Sequence, residues 1–131
     1  MATEQAAVEE FLSLDDVAQV DDVRYKIIDV PDWGKNGQPG KMRIGSLSAQ
    51  DLIEFAESNE GEAKRTAGLR LIIKSIVDGK GRRTGTDKHL AILKARNAAT
   101  TNFVVEEILK LNELNPDKET ASAAAAARKN G

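Results

Sequence analysis

The amino-acid sequence predicts an α+β fold that is predominantly helical, with about four helices and one two-stranded β-ribbon. Three observations support this prediction. Apolar and charged residues alternate at the start of segment 23–30, a run dense in Gly, Pro and Asn follows it, and helical apolar patterns occupy most of residues 48–114. At 131 residues, the chain is long enough for one compact domain and too short for two ordinary ones.

The chain is predicted to divide into a flexible acidic N-terminal arm, residues 1–22, a single α+β domain, residues 23–114, and a tail, residues 115–131. In the arm we expect a short helix near residues 4–12, followed by an acidic linker. The tail is rich in alanine and has nothing to bury, so we expect it to be disordered or to act as a flexible linker.

Charge is distributed unevenly along the chain, although the formal net charge is only −2. Residues 1–32 carry nine acidic and two basic side chains, whereas residues 61–97 carry three acidic and ten basic ones. Two interpretations remain open. The arm lies against basic helices, either its own or those of a neighbouring copy, or the basic segment presents a face to an acidic partner.

The ribbon is predicted from residues 23–30 and from a second strand that begins near Lys41. The alternation in the first strand predicts one buried face, and it places Val23, Tyr25 and Ile27 on the same side. Pro31 is expected to end this strand because it lacks a backbone N–H. The turn-forming residues that follow then predict a hairpin with a long loop.

The helices are predicted from caps and apolar spacing. Ser48 is a good N-cap, and Asp51 stands three residues later in the capping-box position, so a helix should run from there to about Ser58. The segment 62–78 shows the strongest helical pattern and should form the core. Thr86 and Asn97 are predicted to cap two further helices. The second of these should reach residue 114, have an outward ion pair between residues 106 and 110, and stop at residue 116.

Residue types suited to catalysis or metal binding are few. The chain has no cysteine and a single histidine, His89. The segment GKNGQPGKM lacks the order of a phosphate loop, since Met42 stands where a Ser or Thr must bind magnesium. We therefore predict no catalytic residue, no metal site, no cofactor and no enzymatic activity. No signal peptide or membrane span is evident, which predicts a cytoplasmic protein.

Two further features point to partners. Trp33, the sole tryptophan, is expected to anchor its loop in the core or to mark a partner surface. The basic cluster that includes Arg82 and Arg83 is the only indication of nucleic-acid binding, which would depend strongly on salt. No aromatic residue lies among these charges to stack on bases. A small nucleic-acid-binding regulatory protein that uses residues 64–96 is the alternative function.

Several stretches, in their order along the chain, resemble tail assembly chaperones of long-tailed (siphovirus-like) bacteriophages. The most specific are VPDWG (residues 30–34), SLSAQDL (46–52), IVDGKG (76–81) and LNEL (111–114). The resemblance covers roughly residues 11–114. The loop after Trp33 departs from the family because it is longer than a simple turn, and the basic excess of residues 61–97 is more pronounced.

The resemblance implies a protein of the host cytoplasm, absent from the mature virion, that binds and solubilises the tape measure protein. It also implies recruitment of the tail tube protein through a longer, frameshifted product. Physically, amphipathic helices would cover an aggregation-prone helical partner. We also expect homo-oligomers. The candidate partner-binding residues are Trp33, Arg70, Lys74, Arg82, Arg83, Val104, Ile108 and Leu111.

Overall fold

A computed structural model describes residues 10–114, which form helices packed on an antiparallel sheet. This mixture confirms the α+β class, but the described residues contain three strands and six helices, where two strands and about four helices were predicted. The predictions for residues 1–9 and 115–131, including the start of the first helix and the alanine-rich tail, lie outside the described residues.

The elements follow one another along the chain as α1 (Leu14–Val17), β1 (Tyr25–Lys35), β2 (Gln38–Gly45), α2 (Ala49–Glu57), α3 (Gly61–Arg65), α4 (Ala67–Ser75), β3 (Ile76–Val77), α5 (His89–Lys94) and α6 (Ala98–Leu111). The sheet order is β1-β2-β3, and both neighbouring pairs are antiparallel. In the arm, residues 10–12 are not helical, and the turn α1 lies in the predicted linker.

The hairpin of β1 and β2 is longer and its turn shorter than predicted. Lys35 pairs with Gln38, so only Asn36 and Gly37 lie between the strands. Both have positive φ, 52° and 76°, as in the two-residue turns that favour Asn-Gly. Pro31 does not end β1, because it lies where the register shifts between Val30 and Lys35, and such irregularities tolerate proline.

The buried face of β1 is opposite to the one that carries Tyr25 and Ile27, which were predicted to lie on the same side as Val23. Ile28 and Val30 are buried, whereas Val23, Tyr25 and Ile27 are exposed. The two successive isoleucines make both faces of this strand apolar, so alternation alone does not decide which face meets the helices.

The predicted helix 62–78 is broken in two places. Thr66 (φ −106°, ψ 7°) separates α3 from α4, and its hydroxyl donates to the Glu62 carbonyl at 2.7 Å. At the other end, Ile76 and Val77 leave the helix and pair with Ile44 and Arg43. The β-branched side chains at this position suit the sheet, where the ladder of β2 satisfies their backbone groups.

Helix ends agree with the sequence at two sites. Ser48 and Asp51 form the predicted capping box of α2, and the side chain of Asn97 accepts from the Ala99 N–H at the start of α6. Thr86 does not cap a helix. Its N–H donates instead to Nδ1 of His89, the first residue of α5, at 2.9 Å.

The core lies between the sheet and α6, which also packs against α4. Its buried members are Ile28, Val30, Ile44, Ile72, Val104 and Ile108. The helix α6 ends at residue 111, before the predicted stop. There, Glu113 adopts φ 59° and the Leu114 N–H donates to the Leu109 carbonyl at 2.9 Å, as in a Schellman motif.

Candidate partner-binding surface

The carboxylate of Asp51 contacts Lys74 and Arg83, two of the cations that were predicted to bind a partner. Asp51 is buried, although it belongs to the first turn of α2. Its Oδ2 lies 2.5 Å from Nη2 of Arg83, and its Oδ1 lies 3.9 Å from Nζ of Lys74. Lys74 also binds Glu54. Burial alone would raise the pKa of Asp51, but hydrogen bonds from Arg83 and Ser48 outweigh it and hold the pKa below its ordinary value.

The other two predicted cations also have partners within the chain. Nε of Arg82 donates to Oδ2 of Asp78 at 3.0 Å, within the turn that follows β3. Nε of Arg70 donates to the Thr66 hydroxyl at 3.0 Å. Within residues 10–114, all four cations therefore make internal contacts, and part of the basic excess is offset by carboxylates of α2 and of the turn.

The prediction that Val104 and Ile108 bind a partner does not agree with their burial. Both side chains are 0% exposed in the core, so they have no surface to offer a partner in this fold. Leu111 and Trp33 are partly buried and pack against the same core. For Trp33, this packing corresponds to the core-anchoring interpretation.

The acidic arm does not lie against the basic helices of its own chain in the part that the structure describes. None of the ion pairs among residues 10–114 joins an acid of segment 10–22 to a base of segment 61–97. The side-chain contacts of Ser13 and Asp16 stay within this segment, where the two residues form a reciprocal capping box at the start of α1. For the described part of the arm, a contact with a neighbouring copy stays open, and so does a separate acidic partner for the basic segment.

The exposed apolar residues are concentrated in one segment of the chain. Of the eleven large hydrophobic side chains exposed within residues 10–114, eight fall between positions 11 and 27. We call this set the apolar strip; it comprises Phe11, Leu12, Leu14, Val17, Val20, Val23, Tyr25 and Ile27. Large apolar groups in such a run indicate a surface that binds something else. The sequence signal for it was the run of large apolar residues interspersed among the acids of segment 11–23, together with the paired Ile27 and Ile28.

Arg43 borders the strip, in addition to Arg24 and Lys26, which lie within its segment and pair with Glu113 and Glu107. The guanidinium carbon of Arg43 lies 4.2 Å from the centre of the Tyr25 ring, and Nη1 of Arg43 donates to the Asp78 carbonyl at 3.0 Å. The β2 strand thus fixes the ring of Tyr25 at the outer face of the sheet.

Side chains that could act in catalysis or bind a metal do not form a cluster in the described part of the chain. His89 Nδ1 accepts the Thr86 N–H, and no group of three or more His, Asp or Glu side chains among residues 10–114 could hold a metal ion. None of the helices in that range has the length and apolar character needed to cross a membrane.

Comparison of the chain with family models, with characterised proteins and with solved structures found no match. Its function is therefore inferred from its residues and their surroundings.

Proposed function

We propose that this protein is a phage tail assembly chaperone that binds the tape measure protein and keeps it soluble in the host cytoplasm before the tail is built. In this role it is not an enzyme and is absent from the mature virion. A longer, frameshifted product would recruit the tail tube protein. The single observation that carries the proposal is the exposed apolar strip of residues 11–27.

The strip suits a helical partner because it continues from the arm onto the outer face of β1. Ile27 is 64% exposed on that face, and Leu14 is 86% exposed in the arm. An amphipathic helix laid along such a surface would bury apolar groups on both partners, and each Å² of apolar surface removed from water contributes about 25 cal/mol. The charged remainder of the domain would keep the complex in solution.

The charges on the strip define the kind of target segment. Asp15, Asp16, Asp21 and Asp22 lie among the apolar residues, whereas Arg70, Lys74, Arg82 and Arg83 are engaged elsewhere. The carboxylates of the strip therefore favour a target stretch that is apolar and basic. The same internal ion pairs weigh against a nucleic-acid-binding regulator, since phosphates would have to compete with bound carboxylates.

Co-expression with the tape measure protein encoded downstream tests this function. We expect the tape measure to remain soluble and to co-purify with this chain. Replacing Ile27 by Asp should weaken co-purification about tenfold, because a charge would enter the apolar contact at its most exposed position on β1. The matched control is Ile53→Asp, since Ile53 is also half exposed but lies on α2, outside the strip. An insoluble tape measure beside abundant wild-type chain would overturn the proposal, as would equal behaviour of the two variants.

A further inference from the structure

We propose that the described part of the acidic arm, residues 10–22, binds the outer face of α5 on a second copy of this chain. The two surfaces differ, so each copy offers one arm and one receiving face. This inference does not depend on the tape measure, and it assigns a role to basic residues that the internal ion pairs leave free.

The arm contains a preformed helical turn with exposed apolar side chains beside it. The Ser13 N–H donates to Oδ2 of Asp16 at 2.9 Å, and the Asp16 N–H donates to the Ser13 hydroxyl at 3.1 Å, which fixes the single turn α1. Phe11 and Leu12 stand before this turn with 82% and 78% of their surface exposed. A preformed turn lowers the ordering cost when the segment binds. Acidic residues then follow the apolar ones at positions 15, 16, 21 and 22.

The receiving face has the opposite charge and the same apolar character. Ile92 projects from α5 with 56% of its surface exposed. Lys88 is the residue just before α5 and Arg96 lies two residues after its end, so one cation stands at each end of the short helix that carries Ile92. Both cations are exposed, and within residues 10–114 neither makes an ion pair. Lys94, by contrast, is bound to Glu62 of α3.

Complementary charge around an apolar centre favours the second copy as the occupant. The arm presents apolar residues interspersed with carboxylates, and the α5 region presents Ile92 with Lys88 before the helix and Arg96 after it. No arm carboxylate of segment 10–22 pairs with a base of segment 61–97 within the described chain, so these contacts are available to another copy. A contact between two different surfaces is heterologous and leads to rings or open chains of copies. Because the arm residues also belong to the apolar strip, a second copy and the tape measure protein would compete for them.

The association is expected to be weak and sensitive to salt. One short segment covers less than the roughly 800 Å² per partner of a standard interface. Salt at 1 M shortens the screening length to about 3 Å and weakens the pairs between exposed charges. Sedimentation velocity of the full chain over a concentration series should therefore show larger species at low salt that dissociate as salt is added.

Charge reversal locates the contact. The arm variant Asp15→Lys with Asp22→Lys and the face variant Lys88→Glu with Arg96→Glu should each raise the dissociation constant about tenfold or more. Neither changes a capping-box residue or a described ion pair. Glu57→Lys with Glu60→Lys, which changes the same charge at exposed positions near α2, is the matched control and should associate like the wild type. Circular dichroism checks that each variant is folded.

Mixing the two variants distinguishes exchange between copies from contacts within one chain. Alone, each variant sets like charges against each other. In an equimolar mixture, the arm of each variant meets an opposite charge on the other, so association should return. A wild-type chain that stays monomeric at every concentration, or a mixture that does not associate, overturns the inference. A change in shape that does not depend on concentration would indicate an arm folded on its own chain, and would also overturn it.

Discussion

Asp51 contacts two of the ten basic residues of segment 61–97, Lys74 and Arg83. From the sequence, Asp51 was placed in the capping-box position of α2. In the folded chain its carboxylate also accepts from Arg83 and lies near Lys74, which come from the turn after β3 and from α4. One carboxylate therefore ties three segments together. Spacing within one helix cannot reveal such contacts, because the partners are 32 and 23 positions away along the chain.

We predict that Asp51→Asn lowers the free energy of unfolding by about 1–3 kcal/mol, because it weakens a cap and removes the carboxylate that binds Arg83, while Lys74 keeps its contact with Glu54. Urea unfolding at neutral pH measures this change. Asp29→Asn is the control, since Asp29 forms an exposed pair with Lys41 at 2.9 Å, and it should change the free energy by less than about 1 kcal/mol.

The effect of Asp51 should depend on pH in a defined direction. Because its pKa is lowered in the folded chain, the ionised carboxylate stabilises the fold above the ordinary aspartate pKa of about 3.9. This stabilisation is lost as the pH falls through the lowered value. The difference between wild type and Asp51→Asn should therefore be constant near neutrality and shrink below about pH 4. A difference that grows towards acid pH would contradict the assignment.

At the scale of elements, helical spacing in the sequence competed with signals for breaks, turns and strands. Segment 62–78 has helical spacing throughout, yet Thr66 interrupts it and the open edge of β2 takes Ile76 and Val77. In the hairpin, Asn36–Gly37 is a strong turn signal that was hidden among other turn-forming residues. The predicted loop spread over all of them, whereas the structure uses only these two.

The turn provides a test at this scale. Gly37→Ala should lower the free energy of unfolding by about 1–2 kcal/mol, because alanine at φ 76° adopts an unfavourable left-handed conformation. No atom lies within 4 Å of the added Cβ, so the cost comes from the backbone alone. Gly79→Ala, which also meets open space but has no positive φ, should change stability far less. Equal effects of the two substitutions would show that the turn is not the one described.

At the scale of the whole molecule, the helical stripes build the core and the apolar strip remains outside. Val104, Ile108 and Leu109 of α6 are buried, and so are Leu71, Ile72 and Ile73 of α4. The partner-binding role that the sequence suggested for α6 therefore passes, in our proposal, to residues 11–27. The closed helical core and the exposed strip are separate parts of the fold.

This separation can be measured. Ile108→Ala should lower the free energy of unfolding by about 2–5 kcal/mol, because it removes a fully buried side chain and leaves a cavity. Ile53→Ala, at a half-exposed position on α2, should cost about 0.5 kcal/mol or less. The folded fraction of Ile108→Ala should still bind the tape measure. Loss of binding without loss of stability would instead return Ile108 to the partner surface.

The sequence by itself determined the α+β class, the capping box at Ser48 and Asp51, the Asn97 cap and the apolar pattern of α6, because each depends on residues a few positions apart. It also identified the opposite charges of residues 1–32 and 61–97. Local spacing is enough for features of this kind.

Only the tertiary structure decided which face of β1 is buried, where segment 62–78 changes from helix to strand, and which cations are free. Each of these outcomes depends on contacts between residues that are distant in sequence. One face of β1 packs against α6, Ile76 pairs with β2 instead of continuing the helix, and Arg83 binds Asp51. Such competition is settled by the packing of the whole chain, which no local pattern contains.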